Sequence, residues 1–355
     1  MYEEESQRCA RIENYIKSNS QYNYSKAYKP SALTYENKVD PLPDEKLDAI
    51  YRDFLSLLVL ENNHRNYLRK EGWSDVLINN NLVKSFPESD SFRYKNKGNY
   101  FSMNLWRKKI AASLVNKYGD LEGVPGAFKN SVGEWTFDGL GGIIFPLYNV
   151  KGLIYRLRVR IDNQFYDEKF NIISEKDFYD MKKSGLNVRK VGKYLNFSSY
   201  KEDPVKLKSH IISNIRDCGC AASSNIGYYM SPEVDDMYIC YLTEGEKKGI
   251  YSNNYFHAPI ISIPGVGTYG KLLDSDTKGK RPIDYMKEMG VHVFVIALDA
   301  DKAVNEKVLE SEKRIIEILR QEGFTIAVAN WDASIGKGID DLLRNGGRPV
   351  YEFAT

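Results

Sequence analysis

Acidic residues stand just after three short apolar runs in the C-terminal third of the chain. Glu244-Gly245-Glu246 follows residues 237–243, and Asp299-Ala300-Asp301 follows 291–298. Lys337-Gly338-Ile339-Asp340-Asp341 comes a short loop after 324–329. Carboxylates gathered in this way repel and raise one another's pKa, a cost that is offset when a cation sits among them. Oxygen donors of this kind suit Mg²⁺ or Mn²⁺, whose remaining coordination positions can hold phosphate oxygens. The chemistry would be phosphoryl transfer, with metal charge set against developing oxyanions and an acid or base within reach of the attacking or leaving oxygen. Asp299 and Asp301 face the same way if the strand extends through them. In the alternative reading Asp301 only caps the next helix.

The elements that must position these acids can be read from periodicity. Residues 237–243, 258–264, 291–298 and 324–329 are short apolar runs rich in β-branched and aromatic residues, as in parallel strands covered on both faces. Val304, Val308, Ile315, Ile316 and Leu319 predict one apolar helix face, stopped by Gly323. The expected fold class is α/β: a C-terminal parallel sheet with helices on both faces, preceded by a β-containing segment and a helical N-terminal region. Ligands of such sheets gather beyond the carboxyl ends of the strands. Gly245, Gly265 and Gly267 are read as backbone turns beside the acids. Gly265 to Gly270 also fits G-x-G-x-x-G and the start of a P-loop. Leu272, however, stands where a P-loop needs Ser or Thr, and no acid ends a next strand at the spacing a dinucleotide fold requires.

A basic constellation lies upstream. Residues 141–148 and 153–162 predict a hairpin around a turn at 149–152. Strand alternation puts Arg156, Arg158 and Arg160 on one side and Tyr155, Leu157, Val159 and Ile161 on the other. Arg189, Lys190 and Lys193, with Lys182 and Lys183, extend this tract, which suits contact with nucleic-acid phosphates. The competing reading is a solvated sheet face. Trp73, Trp106, Trp135 and Trp331 are read as core or partly buried packing residues. The four histidines are scattered, with His292 read as a structural residue within a strand.

Composition bounds the rest. A chain of 355 residues supports two or three domains. The expected division is a polar arm (1–45), a helical N-terminal region (46–123), a β-rich basic region (124–230) and the α/β catalytic domain (231–355). Leu47, Ile50, Tyr51, Phe54, Leu57 and Leu58 predict one helix face, and Ser74 and Ser85 are candidate caps. Fifty Lys and Arg against 48 Asp and Glu leave a net charge of +2. That balance excludes global attraction to polyanions, so any such site must be a local patch. No apolar run reaches the roughly 18 residues of a membrane span, and the acidic start carries no export signal, so a cytoplasmic protein is expected. Cys9, Cys218, Cys220 and Cys240 match neither a disulfide framework nor a paired C-x-x-C zinc site, and are read as free thiols.

The series Leu242-Thr243-Glu244-Gly245-Glu246-Lys247-Lys248, Ile261-Ser262-Ile263-Pro264-Gly265, Val295 to Asp301 and Lys337 to Asp341 resembles the Toprim domain, the metal-binding module of bacterial primases, topoisomerases and certain nucleases. Residues 141–160 and 193–199 resemble segments of an uncharacterised primase-like family of phages, plasmids and mobile elements. The resemblance implies that Glu244 is the general acid or base; Lys337 is read as a second catalytic residue. It also implies that Glu244, Asp299, Asp301 and Asp340 hold Mg²⁺ or Mn²⁺. The expected function is nucleotidyl or phosphoryl transfer on nucleic acid, most readily single-stranded DNA, in a primase-like replication protein. Two alternatives keep the same scaffold: a nuclease that uses water as nucleophile, and a non-catalytic module that recruits a helicase or polymerase. Lys248 stands where several relatives place an acid, Val304 replaces a common glycine, and no zinc-binding module precedes the domain.

Overall fold

A computed structural model of the chain describes residues 39–87, 93–96, 99–102, 106–129, 133–169, 171–199, 218–222, 225–230, 237–276, 279–303 and 305–354. Most of the polar arm, together with Cys9, His210 and Val304, lies outside them. Helix α1 (Asp44–Ser56) forms on the expected pattern and buries Leu47, Ile50, Tyr51 and Phe54, with Leu55 added. Leu57, assigned to that face, lies past the last turn and is exposed. Helices α2 (Asn62–Lys70) and α3 (Asp75–Asn80) follow, and Ser74 caps α3 by accepting the Leu77 N–H. Ser85 is no cap. It lies in strand β1 (Lys84–Phe86), where its hydroxyl accepts the Glu61 N–H at 2.8 Å and bonds His64 Nδ1 at 2.7 Å.

A hairpin of β2 (Arg93–Asn96) and β3 (Asn99–Ser102) leads to helix α4 (Trp106–Tyr118). Arg107 of α4 is buried, and donates to the carbonyls of Pro87, Phe137 and Gly139. Trp106, expected to be core or partly buried, is 59% exposed. Strands β4 (Ala127–Lys129) and β5 (Trp135–Phe137) pair with each other. The expected hairpin is β6 (Gly142–Tyr148) and β7 (Ile154–Ile161), joined through a turn in which the Asn149 side chain accepts the N–H groups of Lys151 and Leu153. After β8 (Phe165–Tyr166), α5 (Glu175–Lys183) and β9 (Arg189–Lys190) comes β10 (Tyr194–Asn196), which completes an antiparallel sheet of order β1-β6-β7-β10.

The C-terminal sheet has six strands: β11 (Gly227–Tyr229), β12 (Ile239–Glu244), β13 (Ile260–Ile263), β14 (Val293–Ile296), β15 (Thr325–Asn330) and β16 (Val350–Phe353). Their order is β11-β13-β12-β14-β15-β16, with the inner four parallel and the two edges antiparallel. This is the α/β class that the four apolar runs predict. Helices α6 (Glu246–Phe256), α7 (Pro282–Glu288), α8 (Glu306–Gln321) and α9 (Ile339–Arg344) cover the sheet. His292 precedes β14, is exposed, and lies against the Tyr238 ring at 4.8 Å, so it is not an interior strand residue.

Alternation along β7 decides how the two sheets meet. Leu157, Val159 and Ile161 bury with α1 and α4 in one core, around Phe54, Phe137 and Phe197. The arginines share their face with their cross-strand partners, Arg160 opposite Ile143 and Arg158 opposite Phe145. Ile143 and Phe145 bury with Trp73, Tyr229, Ile250 and Ile260 in a second core, which belongs to both sheets. The arginine side therefore turns inward, toward α6 and the end of β13.

Helix α6 can approach this core because residue 249 has no side chain. A Cβ there would fall 2.5 Å from a Tyr229 ring carbon and 3.2 Å from Ser262 Cβ. Gly249→Ala should therefore destabilise the fold by about 1–3 kcal/mol through overpacking. The expected readout is a lower urea midpoint at an unchanged denaturant slope.

Candidate functional site

The carboxyl ends of the parallel strands open into a cleft of about 570 Å³, whose opposite wall is the arginine face of β7. Glu244 ends β12, and Gly245 turns the chain into α6 with φ +82°, a left-handed conformation that glycine adopts without strain. Gly265 and Gly267 do not play the expected part. Gly265 is extended at φ −176°, Gly267 has no positive φ, and a Cβ at either would meet nothing. The segment Val266–Leu272 is a 3₁₀ helix, and its Lys271 pairs with Asp274 at 2.6 Å.

Glu244 and Asp299 line the same cleft. Burial pushes the Glu244 carboxyl above its usual range, with Asp299 adding to the rise and Lys248 opposing it. The cations among these acids are lysines of the chain itself. Lys248 Nζ donates to Asp299 Oδ1. Lys337 Nζ lies 2.8 Å from Asp301 Oδ2 and 3.8 Å from Asp299 Oδ2. The Asp301 contact, with Asp299 reinforcing it, raises the Lys337 pKa and keeps that ammonium charged. Asp301 Oδ1 is buried with no hydrogen-bond partner, although an acceptor of this kind is normally satisfied. Carboxylate oxygens are the right donors for a hard divalent cation, yet among the described residues Glu244, Asp299 and Asp301 do not each bring an oxygen within 4.8 Å of the others.

Asp340 falls elsewhere in the cleft. Three carboxylates, Glu71, Asp340 and Asp341, lie within 4.8 Å of one another, and among the described residues no such group unites Asp340 with Asp299. Lys247 bridges Asp340 at 3.1 Å and also contacts Glu71, while Arg344 lies 2.9 Å from Asp341. Glu71, Asp340 and Asp341 thus form one tight group with Lys247 and Arg344 as its cations, while Asp299 and Asp301 pair with Lys248 and Lys337.

The basic residues also divide. Arg158 donates to Glu246 Oε1 at 2.7 Å and to the Pro264 carbonyl at 3.0 Å, with side chains 12% and 1% exposed. It is a buried brace between β7, the start of α6 and the end of β13. Arg160 lies over the Tyr67 ring at 4.3 Å and lines the cleft with Lys193 and Tyr194. Burial, with help from Arg160 and Lys247, holds the Lys193 ammonium below the usual lysine range. Arg156, Arg189 and Lys190 do not line the cleft: Arg156 donates to the Tyr155 carbonyl, Arg189 pairs within the β8–β9 ribbon, and Lys190 lies over the Phe165 ring.

Sequence reasoning did not find Tyr67, Glu71, Glu246 or Lys247 as site residues. Tyr67 and Glu71 belong to α2 and its end, and Glu71 is 176 positions from Lys247. Nothing local marks such a pairing. The charge-dense Glu246-Lys247-Lys248 run beside Glu244 was the one available signal.

Residues 234–350 match the family described as Domain of unknown function (DUF3854). Among curated proteins none matches the sequence. Solved structures share the fold, among them two primases. The Aquifex aeolicus primase, with its zinc-binding and RNA polymerase domains, aligns at TM-score 0.51 and 10% identity over 86% of this chain. The present chain spans 59% of that protein. The RNA polymerase domain of Mycobacterium tuberculosis primase DnaG, in complex with double-stranded DNA, aligns at TM-score 0.50 and 10% identity over 85% of this chain and 77% of its own. The chain has the fold of a primase RNA polymerase domain. No helix among the described residues is long and apolar enough to cross a membrane.

Removing the Arg158 guanidinium would leave Glu246 buried and unpaired. Arg158→Ala should cost about 3–5 kcal/mol, whereas Arg158→Ala combined with Glu246→Gln should recover a large part of it. Chemical denaturation of the two single variants and the double variant measures the coupling directly.

Proposed function

We propose that the chain is a Toprim-type, Mg²⁺- or Mn²⁺-dependent nucleotidyltransferase acting on nucleic acid, a primase-like protein of replication. The single observation that carries this reading is the convergence of Glu244 and Asp299, from separate strands, on one cleft whose far wall is basic. A carboxylate end and a cationic wall facing each other suit a substrate that brings phosphates to a metal. The fold shared with primase polymerase domains supports it.

In this reading Glu244, Asp299 and Asp301 hold the ion, and Asp340 belongs to the neighbouring group. When bound, the ion would supply charge against the oxygens of the transferring phosphate. Glu244 accepts or returns the proton of the attacking hydroxyl. Lys337, 61% exposed at its side chain, stays protonated through Asp301 and stabilises negative charge at the mouth of the cleft. Arg160 and Lys193 receive backbone phosphates, and the rings of Tyr67 and Tyr194 flank them. Arg158 orients the strand ends and does not bind the strand. Single-stranded DNA is the proposed template, and the division at residues 45, 123 and 230 is the proposed domain plan. The likeness of residues 141–160 and 193–199 to primase-like proteins of phages and plasmids supports a role in a mobile element, inside the cytoplasm.

Incubating the protein with single-stranded DNA, nucleoside triphosphates and Mn²⁺ should build or lengthen oligonucleotides. Glu244→Gln and Asp299→Asn should each lower that activity at least about a hundredfold without loss of folding. Shortening of the template would instead assign water as the nucleophile. Acid variants that retain full biological function would leave only a binding module for a helicase or polymerase.

DNA affinity should fall steeply as salt rises, since its contacts are to phosphate. Arg160→Ala and Lys193→Ala should each reduce the slope of log affinity against log salt by about 1. A titration at several salt concentrations gives that slope.

A further inference from the structure

The positive charge of the chain is unevenly placed. Residues 91–119 hold seven Lys and Arg and no Asp or Glu, although 48 acids over 355 residues average one in about seven. A run of that length without a carboxylate leaves a local excess of positive charge on a nearly neutral chain.

Helix α4 closes this run, and its periodicity decides what it shows to water. Arg107, Ile110, Ala111 and Leu114 are buried at spacings of three and four, so Trp106 and Lys109 fall on the outer side. Trp106 is 59% exposed, and the Lys109 ammonium lies over its ring at 5.4 Å. A second pair of the same kind lies on the neighbouring hairpin. Lys108 Nζ meets Glu134 Oε2 at 2.7 Å, which ties the first turn of α4 to the residue before β5. Trp135 opens β5, half-buried against the core. Lys129 of β4 stands directly opposite it, with its ammonium over that ring at 5.2 Å. Among the described residues neither Lys109 nor Lys129 pairs with a carboxylate, and Glu134 is taken by Lys108. None of these side chains lines the cleft.

Two indoles, each with an unpaired ammonium at its ring, suit a ligand that alternates flat bases with phosphates. The ring offers a π-face to a base, and the lysine takes the adjoining phosphate. A duplex has already stacked its bases on one another, so only a single strand can use the exposed ring of Trp106.

We propose that the outer face of α4 and the adjoining β4–β5 hairpin form a second contact for single-stranded nucleic acid, outside the cleft. Trp106 is its stacking platform, Lys109 and Lys129 are its phosphate contacts, and Trp135 supports Lys129. The inference shares a ligand class with the reading above but no residue, so the two can fail separately.

The test is fluorescence anisotropy of a labelled oligothymidylate titrated with the full chain in metal-free buffer at several salt concentrations. Trp106→Ala should weaken binding at least about fivefold, and Trp106→Phe, which keeps a ring, should lose less. Lys109→Ala and Lys129→Ala should each reduce the slope of log affinity against log salt by about 0.7. A duplex of equal length should be insensitive to Trp106→Ala. Thermal unfolding checks that each variant is folded. Affinity and slope unmoved by Trp106→Ala, Lys109→Ala and Lys129→Ala, while Arg160→Ala still weakens binding, overturn this surface and leave the cleft. Equal losses for duplex and single strand overturn the stacking role. A loss with Trp106→Ala and none with Arg160→Ala supports this surface and removes the cleft wall as the phosphate site. No binding by the wild-type chain overturns both.

Discussion

Negative charge gathered at the carboxyl ends of β12 and β14 must be balanced, and most of the arrangement around the cleft follows from that need. Glu244 ends β12 and Asp299 follows β14, so adjacent parallel strands bring both acids to one end of the sheet. Burial makes the problem harder by weakening solvent screening. The chain answers with cations from distant segments: Lys248 and Lys337 on Asp299 and Asp301, and Lys247 and Arg344 on the group formed by Glu71, Asp340 and Asp341. The result is a cleft whose charges are nearly matched before anything binds, which agrees with the flat balance of the whole sequence.

The same logic explains why the arginine face of β7 turns inward. A strand with apolar residues on one side and arginines on the other has one core-forming face, and that face is taken by α1 and α4. The arginine side could have met water. It meets the second sheet instead, because Ile143 and Phe145 of the neighbouring strand lie on that side and must be buried with Tyr229, Ile250 and Ile260. Once drawn in, Arg158 needs a partner, and Glu246 with the Pro264 carbonyl supplies it. A buried pair of this kind is a poor source of net stability, although removing one partner alone is costly.

Much of this was legible in the sequence, and the losses have physical reasons. The four apolar runs announced the parallel strands because strands buried on both faces leave no room for polar residues. The places of Glu244 and Asp299 at the strand ends were legible because these residues follow those runs directly. Asp340 lies in the same cleft but beside Glu71 and Asp341, because order along the chain says that it lies near the strand ends but not which carboxylate it faces. Gly265 and Gly267 look like a turn by composition, yet the backbone there takes angles open to any residue. The arginine stripe was read correctly as one face, but a period of two does not say what lies opposite. Trp106 shows the reverse error, an aromatic residue read as core or partly buried that is 59% exposed. Contacts such as Lys247 with Glu71 join residues too far apart in sequence for any local pattern to register.

That separation bears on how the protein can be divided. The segment 234–350, which corresponds to the matched family, carries Glu244, Asp299, Asp301 and Asp340, yet Tyr67, Glu71, Arg158, Arg160, Lys193 and Tyr194 all precede it. A fragment trimmed to those boundaries would keep the acids and lose the wall that faces them. It would also expose Ile250 and Ile260, whose cover comes from the antiparallel sheet and the N-terminal helices. The acidic half is therefore better regarded as one jaw of a tool than as the tool itself.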